Sequence, residues 1–348
     1  MSAPSRAAAD QETAPGAPPR DPLDVQNLSI RYGDDAPAVS GVDLRVGPGQ
    51  IVGVIGESGC GKSSVALAVL GLLPPAATVT ADRMDVVGHD VLDADERTLN
   101  AIRGKDAAMV FQEPMTALNP VMRVGAQIAE VLLIHRLADR ATARARAVEL
   151  LELVQVPEPE LRVKQFPHQL SGGMRQRVVI AMAMAADPRL LVADEPTTAL
   201  DVTVQAQILD IIHGLRRRTG MGVLFISHDL GVIARTCDRV VVMYAGQVVE
   251  EGVPADVLRA PRHPYTSALL ASIPRAAVPP REELPAIAGT LSAEDRARAG
   301  CRFLTRCPFA LEGCAQPQPL LSEAGSAVRC WRSADLHDAL SRETGVPA

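Results

Sequence analysis

Long apolar runs are missing from this sequence. The longest candidate lies at about residues 178–186, far short of the ~18 apolar residues that a membrane-spanning helix needs. The first residues also lack the positively charged and then apolar pattern of a secretory signal peptide. We therefore expect a protein of the cytoplasm, whose contact with any membrane is made through a partner.

Aromatic side chains and net positive charge are also scarce. Aromatic residues make up 3% of the 348 residues, so the core is expected to be mainly aliphatic. The formal net charge is −6, which argues against nucleic acid as a partner because nucleic-acid-binding proteins carry a basic face. No internal repeat is evident, and the length suits two domains with a sizeable core.

One glycine-rich stretch carries the strongest chemical signal in the chain. Its residues are Gly56, Glu57, Ser58, Gly59, Cys60, Gly61, Lys62 and Ser63. They match the phosphate-loop pattern G-x-x-x-x-G-K-[ST] between an apolar run and an Ala/Leu-rich run, the strand–loop–helix context that the pattern requires. Backbone N–H groups and the helix N-terminus would bind phosphate oxygens, while Lys62 would neutralise the outer phosphates and Ser63 would bind Mg²⁺. An ordinary glycine-rich turn before a helix is the alternative.

Strands alternate with helices along most of the chain. The predicted strands lie at 25–32, 42–46, 51–55, 107–111, 190–193, 223–226, 240–243 and 247–250, and the last two flank a turn at Gly246. Residues 74–104, which begin with two prolines, are predicted to form loops, whereas helical periodicity dominates at 121–156 and again up to 186. This order predicts an α/β fold: a mixed sheet core, an antiparallel β edge and a helical subdomain at about 113–188.

Composition divides the chain into three parts. Residues 1–21 combine Ala, Pro, Ser and charge without periodicity, which is typical of a disordered tail. Residues 22–262 hold the alternating strands and helices and are predicted to form the nucleotide-binding domain. After it Pro, Arg and Ala dominate, and four of the six cysteines lie between Cys301 and Cys330. A second, smaller domain is therefore expected at 263–348.

A second loop narrows the prediction from nucleotide binding to one family. The loop and the helix after it contribute Leu170, Ser171, Gly172, Gly173 and Gln176. Ser171 can cap the helix, and the glycines let a phosphate approach free N–H groups, although these residues alone would fit an ordinary helix start. With the phosphate loop and Asp194-Glu195, they resemble the ATP-binding cassette (ABC) family over about residues 22–260. The resemblance implies a P-loop NTPase cassette whose second loop caps the γ-phosphate bound by another ATPase subunit.

Two adjacent carboxylates follow the predicted strand at 190–193. Asp194 could hold Mg²⁺ through water, and Glu195 could act as a base on the attacking water. An exposed acidic turn is the alternative, but the apolar strand that leads into the pair disfavours it. The family resemblance implies the same division of roles between the two carboxylates.

The resemblance assigns roles to five further residues. It implies that His228 contacts the γ-phosphate as a catalytic switch and that Gln112, also catalytic, touches both Mg²⁺ and water. It also implies that Asp201 links two ATP sites and that Tyr32 stacks on adenine, with Ser64 among the ATP contacts. His228, Gln112 and Tyr32 each have a structural alternative, since a lone histidine, a polar strand end and a tyrosine beside a strand are all common.

The cysteine-rich part of the chain resembles one branch of this family. The segment His263-Pro264-Tyr265 is similar to that of oligopeptide, dipeptide and nickel importers. Cys301, Cys307, Cys314 and Cys330 have a C-x5-C-x6-C-x15-C spacing, which is not a C-x2-C zinc pattern. Clustered thiols in a reducing compartment suit a soft metal or an iron–sulfur cluster, and the resemblance implies a [4Fe–4S] cluster there. Four unbound thiols are the alternative, and Cys60 and Cys237 are expected to be packing residues.

These observations together predict the ATP-hydrolysing subunit of an ABC importer at the cytoplasmic face of the cell membrane. Oligopeptides or dipeptides are the expected solutes, with nickel or another small solute as alternatives. The expected partners are two transmembrane permease subunits, a second identical or paralogous ATPase and an extracytoplasmic solute-binding protein, but no nucleic acid. The expected cofactors are ATP, Mg²⁺ and the [4Fe–4S] cluster. The acidic charge and the single cassette disfavour a soluble ABC ATPase of DNA repair or translation, and the 170–173 loop disfavours a P-loop kinase.

Overall fold

Thirteen strands and thirteen α-helices form the part of the chain that the computed structural model describes, residues 20–198, 200–272, 287–323 and 326–343. The predicted disordered tail at 1–21 falls almost entirely outside these residues. The strands belong to two sheets, one of five strands and one of eight.

The smaller sheet is antiparallel and begins with the first strand of the chain. Its strands are β1 (Leu23–Tyr32), β2 (Val39–Val46), β4 (Ala77–Thr80), β5 (Arg83–Val86) and β6 (His89–Asp90). β1 pairs with β2, β4 and β5. A bulge at Asn27, whose φ is +54°, shifts the β1–β2 register. The shift keeps Val25 and Leu28 both buried although they lie three residues apart, because the extra residue restores the inward alternation.

Residues 74–104, predicted to be rich in loops, contain more regular structure than expected. This stretch contains β4, β5, β6 and helix α2 (Glu96–Ile102). β4 and β5 form because each pairs with β1, and β6 pairs in turn with β5. These pairings are tertiary contacts that override a weak local signal. The side chain of Asp95 caps α2 by accepting the N–H of Thr98 at 2.8 Å.

The larger sheet has the strand order β12-β13-β11-β10-β3-β9-β8-β7. Its strands are β3 (Ile51–Ile55), β7 (Ala107–Val110), β8 (Leu190–Asp194), β9 (Gly222–Ile226), β10 (Arg239–Tyr244), β11 (Gln247–Gly252), β12 (Leu321–Glu323) and β13 (Ser326–Val328). The five strands from β10 to β7 are parallel, while β11, β13 and β12 are antiparallel. The carboxyl ends of β3, β7, β8 and β9 therefore meet at one edge, which is where α/β sheets bind ligands.

Helices cover the parallel strands. Their bounds are α1 (Lys62–Val69), α3 (Pro114–Ala117), α4 (Val124–Ile134), α5 (Arg140–Leu153), α6 (Pro159–Arg162), α7 (Gly172–Ala183), α8 (Val202–Thr219), α9 (Leu230–Thr236), α10 (Pro254–Arg259), α11 (Pro264–Ala271), α12 (Ala293–Ala297) and α13 (Ser333–Glu343). Helices α3 to α7 lie between β7 and β8 and form the helical insertion. Among the described helices, none has the length and apolar character needed to cross a membrane.

Two hydrophobic cores lie on opposite faces of the larger sheet. Ile51 and Ile55 of β3 face the core that includes the helical insertion, while Val52 and Val54 face α1 and the antiparallel sheet. This division follows from the two-residue period of a strand buried on both faces. The mixed sheet core, the antiparallel β edge and the helical subdomain that the sequence predicts are all present. The C-terminal region extends the large sheet through the pairing of β13 with β11.

Candidate functional site

The phosphate loop connects β3 to α1. Two of its glycines, Gly56 and Gly61, lie where a side chain would be strained and would collide with the backbone. Gly56 and Gly61 have φ angles of +150° and +106°, which disfavour a side chain. A Cβ at Gly56 would collide with the carbonyl oxygen of Met243, and one at Gly61 would lie 2.8 Å from that of Ala38. These close approaches fix the curl of the loop, with Ser58 and Gly59 exposed at its apex.

The amino group of Lys62 lies against the carbonyl groups of its own loop. Its Nζ donates to Gly56 O at 2.8 Å and to Glu57 O at 3.0 Å, with Cys60 Sγ at 3.8 Å. The Cys60 side chain is fully buried, and burial raises the pKa of its thiol. The Cys60 thiol therefore packs inside the loop as a neutral group, and only its backbone is placed to meet a ligand.

Asp194 and Ser63 provide oxygen ligands beside this loop. Asp194 is 6% exposed, and its carboxylate accepts a hydrogen bond from the Ser63 hydroxyl. Burial raises the pKa of the Asp194 carboxyl, with the charge of Glu195 acting in the same direction and Ser63 and Lys62 opposing. Among the described residues, Asp194 Oδ1 has no hydrogen-bond partner. An unpartnered buried carboxylate oxygen beside a hydroxyl fits Mg²⁺, which takes one or two carboxylates together with phosphate oxygens and water.

Three side chains converge on one oxygen of Glu195. Its Oε2 accepts from Gln112 Nε2 at 3.1 Å and from Thr198 Oγ1 at 2.9 Å, and His228 Nδ1 lies 3.1 Å away. Gln112 follows β7, Glu195 follows β8 and His228 follows β9. The structure thus brings the three predicted catalytic residues together at the ends of neighbouring strands. The backbone of Glu195 has a φ of +48°, in the left-handed region, at the point where β8 ends.

Thr198 is a member of this group that sequence reasoning missed. The signal was its spacing of three residues from Glu195, because a turn places residues i and i+3 side by side. Its backbone N–H donates to Glu195 O at 3.2 Å, which closes that turn. The half-buried threonine therefore holds the carboxylate from within the same loop.

Tyr32 contacts the helix after the phosphate loop. Its hydroxyl donates to Ser64 Oγ at 2.9 Å, so that both residues lie beside the start of α1. The half-buried ring is close to the phosphate loop, and its stacking on adenine stays a prediction.

The second loop begins helix α7. The Ser171 side chain accepts the N–H of Met174 at 3.3 Å, which is the predicted cap, and Ser171 and Gly172 are exposed. Leu170 and Gln176 are buried at 4% and 1% exposure, so these two side chains support the loop from inside. Asp201 caps the neighbouring helix α8 through the N–H of Val204 at 2.9 Å.

The prediction of an iron–sulfur cluster is wrong. Cys301, Cys307, Cys314 and Cys330 surround one small cavity with Phe303. However, among the described residues no group of three or more His, Cys, Asp or Glu side chains could hold a metal ion. Burial raises the pKa of Cys301 to about 12 and that of Cys330 to about 11. Both thiols are therefore neutral at physiological pH in these surroundings.

Two family profiles match the chain. The ABC transporter profile matches residues 39–198, and that of the oligopeptide/dipeptide transporter C-terminal region matches residues 249–314. The first contains the phosphate loop, the second loop and the Asp194-Glu195 pair. The second contains the segment that begins at His263 and three of the four clustered cysteines.

Relatives and a solved structure agree with these profiles. A probable peptide ABC transporter ATP-binding protein of Sinorhizobium fredii is 48% identical over 90% of this chain and 96% of its own length. The oligopeptide transport ATP-binding protein of Bacillus subtilis is 46% identical, over 89% of this chain and 88% of its own. A dipeptide transport ATP-binding protein of Haemophilus influenzae is 44% identical, over 88% and 94%.

The solved structure is a dimeric ATP-binding cassette in a post-hydrolysis state with ADP and phosphate. It matches with a TM-score of 0.58 and 27% identity, covering 67% of this chain and 98% of that chain. ATP-binding subunits of ABC transporters are ATPases coupled to transport. The chain, which carries both profiles and these relatives along most of its length, belongs to the ABC transporter family as one of its ATP-binding subunits.

Proposed function

We propose that this chain hydrolyses ATP to drive the uptake of peptides across the cytoplasmic membrane. The convergence of Gln112, Thr198 and His228 on one carboxylate oxygen of Glu195, beside a phosphate loop, carries the hydrolytic part of the proposal. The peptide part is supported by the relatives, which are peptide, oligopeptide and dipeptide transport proteins, and by the matching C-terminal region.

The phosphate loop would bind the triphosphate through its backbone N–H groups and Lys62. Lys62 now donates to Gly56 O and Glu57 O, so it would exchange these carbonyl groups for phosphate oxygens. Ser63, Asp194 and Gln112 would hold Mg²⁺, whose charge, when bound, neutralises the β- and γ-phosphates. The loop, the serine and the aspartate thus position ATP with its γ-phosphate toward Glu195.

Glu195 would act as the base for the attacking water. Gln112, Thr198 and His228 all bond to Oε2, so we assign the water to the other carboxylate oxygen. That oxygen makes none of these three contacts, so it can face the water and accept its proton. His228 is 63% exposed and is free to turn toward the γ-phosphate when it arrives.

The second loop would complete the ATP site of another ATPase subunit. Ser171 and Gly172 are exposed at the start of α7, where free N–H groups can meet a phosphate. The likeness to a dimeric cassette supports this arrangement. Closure of the dimer would draw the two helical insertions together and move two transmembrane permease subunits, with an extracytoplasmic solute-binding protein delivering the peptide. The chain would act at the cytoplasmic face of the membrane.

The test is a Glu195→Gln variant of the full chain. The amide cannot accept the proton, so turnover should fall roughly 100- to 1,000-fold while ATP still binds. Tagged Glu195→Gln captured from native membranes with ATP and Mg²⁺ should bring two multispanning permeases with it. Uptake of a labelled dipeptide by the same transporter assembled with the wild-type chain, compared with uptake of labelled nickel, then tests the solute.

An exposed carboxylate elsewhere provides the matched control. Glu312→Gln removes the same charge at an exposed position, and its turnover should equal that of the wild type. Near-normal turnover of Glu195→Gln would refute the assignment of the base. Recovery of soluble proteins, ribosomes or DNA without permeases would refute the transport role.

A further inference from the structure

The C-terminal region contacts the phosphate loop directly through an ion pair. Both amino groups of the Arg306 guanidinium donate to the Glu57 carboxylate, at 2.8 Å to Oε2 and 3.0 Å to Oε1. The side chain of Arg306 is 5% exposed and that of Glu57 is 26% exposed. Bidentate pairs of this kind fix both position and orientation, so this contact restrains the first half of the loop.

Two further side chains hold the backbone of the same short segment. Glu57 N–H donates to the Tyr265 hydroxyl at 2.7 Å, and Arg296 Nη2 donates to Gly59 O at 2.9 Å. The three partners lie between 208 and 249 residues further along the chain. The loop segment from Glu57 to Gly59 is thus fixed by the C-terminal region and not only by its neighbours in sequence.

Arg306 is itself held in place before it meets the loop. It donates to the carbonyl oxygens of Ala288 at 2.7 Å and Gly289 at 3.2 Å, and to the Tyr244 hydroxyl at 3.2 Å. Its guanidinium lies over the rings of Tyr244 and Phe303, at 5.7 and 6.0 Å from their centroids. A side chain with this many partners has already lost its rotamer freedom, unlike an exposed ion pair.

The ion pair also removes an unfavourable charge from the loop. A free carboxylate at Glu57 would repel the triphosphate that the loop binds, and such repulsion is strong where solvent is partly excluded. The hydrogen bonds from Arg306 offset this charge, and the Glu57 carboxylate in turn raises the pKa of the guanidinium. The contact therefore has two effects on the loop: it orders the backbone and neutralises the carboxylate.

We propose that Arg306, with Tyr265 and Arg296, is a positioning clamp through which the C-terminal region sets the ATP affinity of the phosphate loop. The three side chains act on the loop through the Glu57 carboxylate, the Glu57 N–H and the Gly59 carbonyl. A loop already ordered in its binding conformation does not lose that conformational freedom again when ATP arrives. The proposal rests on the assignment of this loop as the ATP site.

The first test is Mg-ATP binding by full-length Arg306→Ala. Loss of a charged hydrogen-bond partner should weaken binding roughly tenfold. Turnover at saturating ATP in the assembled transporter should stay within about twofold of the wild type, because the clamp does not contact Glu195. Arg306→Lys keeps the charge without the bidentate geometry and should give an intermediate affinity. An unchanged ATP affinity of Arg306→Ala would overturn the proposal.

A second set of variants separates the clamp from a general loss of structure. Arg332→Ala removes a C-terminal arginine that donates to a backbone carbonyl, Phe309 O at 2.7 Å, and it should bind ATP as the wild type does. In a Glu57→Gln background, Arg306→Ala should weaken binding by less than about threefold, because the ion pair is already lost. An equal loss in Arg332→Ala, or an undiminished loss in the Glu57→Gln background, would overturn the proposal.

If Arg306→Ala does not fold, Mg-ATP titrations of Arg306→Lys and Glu57→Gln test the same ion pair with smaller changes to the side chains. Unchanged affinity in both would overturn the clamp. Failure of the wild-type chain to bind Mg-ATP would instead refute the assignment of the loop on which the proposal rests, so the two failures are distinguishable.

Discussion

Polar side chains are held differently at the nucleotide edge, where β3, β7, β8 and β9 end, and in the C-terminal region. At the nucleotide edge Glu195 is paired with other side chains, and two of these, Gln112 and His228, are exposed. In the C-terminal region His263 and Arg302 are 1% and 6% exposed and pair with backbone atoms. The side chains expected to rearrange around a ligand are thus exposed, whereas the polar side chains of the C-terminal region are buried and fixed on backbone atoms.

We expect the largest effect at Gly56, which lies at the nucleotide edge but is packed as tightly as a core residue. In Gly56→Ala the new Cβ would collide with Met243 O of β10 and lie 2.7 Å from Cys60 Sγ. A central strand cannot move to make room, so we expect a loss of more than about 3 kcal/mol in the free energy of unfolding. Urea unfolding and ATP titration measure it, and ATP binding should be abolished.

A glycine in open space provides the control for that substitution. Nothing lies within 4 Å of a Cβ at Gly214, which is inside helix α8. Gly214→Ala should therefore stabilise the protein by about 0.5–1 kcal/mol through helix propensity. Wild-type stability and ATP binding in Gly56→Ala would show that the loop can adapt even where it touches the sheet.

The second prediction concerns Glu250 of β11, which binds the backbone where the C-terminal region begins. The buried Glu250 carboxylate accepts the backbone N–H groups of Arg262 at 2.7 Å and His263 at 3.1 Å. Burial nevertheless raises the pKa of Glu250 to about 7, above the 4.5 of an ordinary glutamate. Its contribution to stability is therefore complete below about pH 4.5 and is lost as the pH rises through about 7. Between about pH 5 and about pH 8 this loss should reach about 2–3 kcal/mol.

Glu250→Gln mimics the protonated acid and should remove this part of the pH dependence. Arg259 and His337 line the same cavity in variant and wild type alike, so the measured quantity is the difference in unfolding free energy between the two proteins at each pH. Glu251→Gln, at the neighbouring residue that pairs with Arg239, should leave the trend unchanged. A constant difference between Glu250→Gln and wild type across this range would contradict the assignment.

Local patterns made the nucleotide edge predictable from sequence. The phosphate loop, Asp194 and His228 each follow an apolar strand, and Ser171 begins a helix, so each position depends on a few neighbouring residues. The fold class follows from the same alternation of strands and helices. These predictions needed no knowledge of distant parts of the chain.

Contacts between distant residues could not be predicted in the same way. The short strands β4 and β5 form because β1 pairs with them, and β6 pairs in turn with β5. Likewise, Arg306 reaches Glu57 across 249 residues. The clustering of the four C-terminal cysteines and the family resemblance predicted an iron–sulfur cluster, yet the described residues include no group of three or more His, Cys, Asp or Glu side chains that could hold a metal ion. The number of residues between two positions does not give their distance in space, because that distance is set by tertiary packing.

We expect the smallest effect at Thr198, which lies at the nucleotide edge and bonds to the carboxylate of the proposed base, Glu195. Thr198→Val keeps the shape of the side chain but removes the hydroxyl that donates to Glu195 Oε2 at 2.9 Å. Gln112 and His228 still bond to that oxygen, so turnover should fall only about 5- to 10-fold, with the KM for ATP nearly unchanged. Thr198→Ser keeps the donor and should restore turnover. A fall of several hundredfold in Thr198→Val would mean that the carboxylate is fixed as rigidly as the groups of the C-terminal region. Full turnover would mean that the other two donors position the base without the threonine.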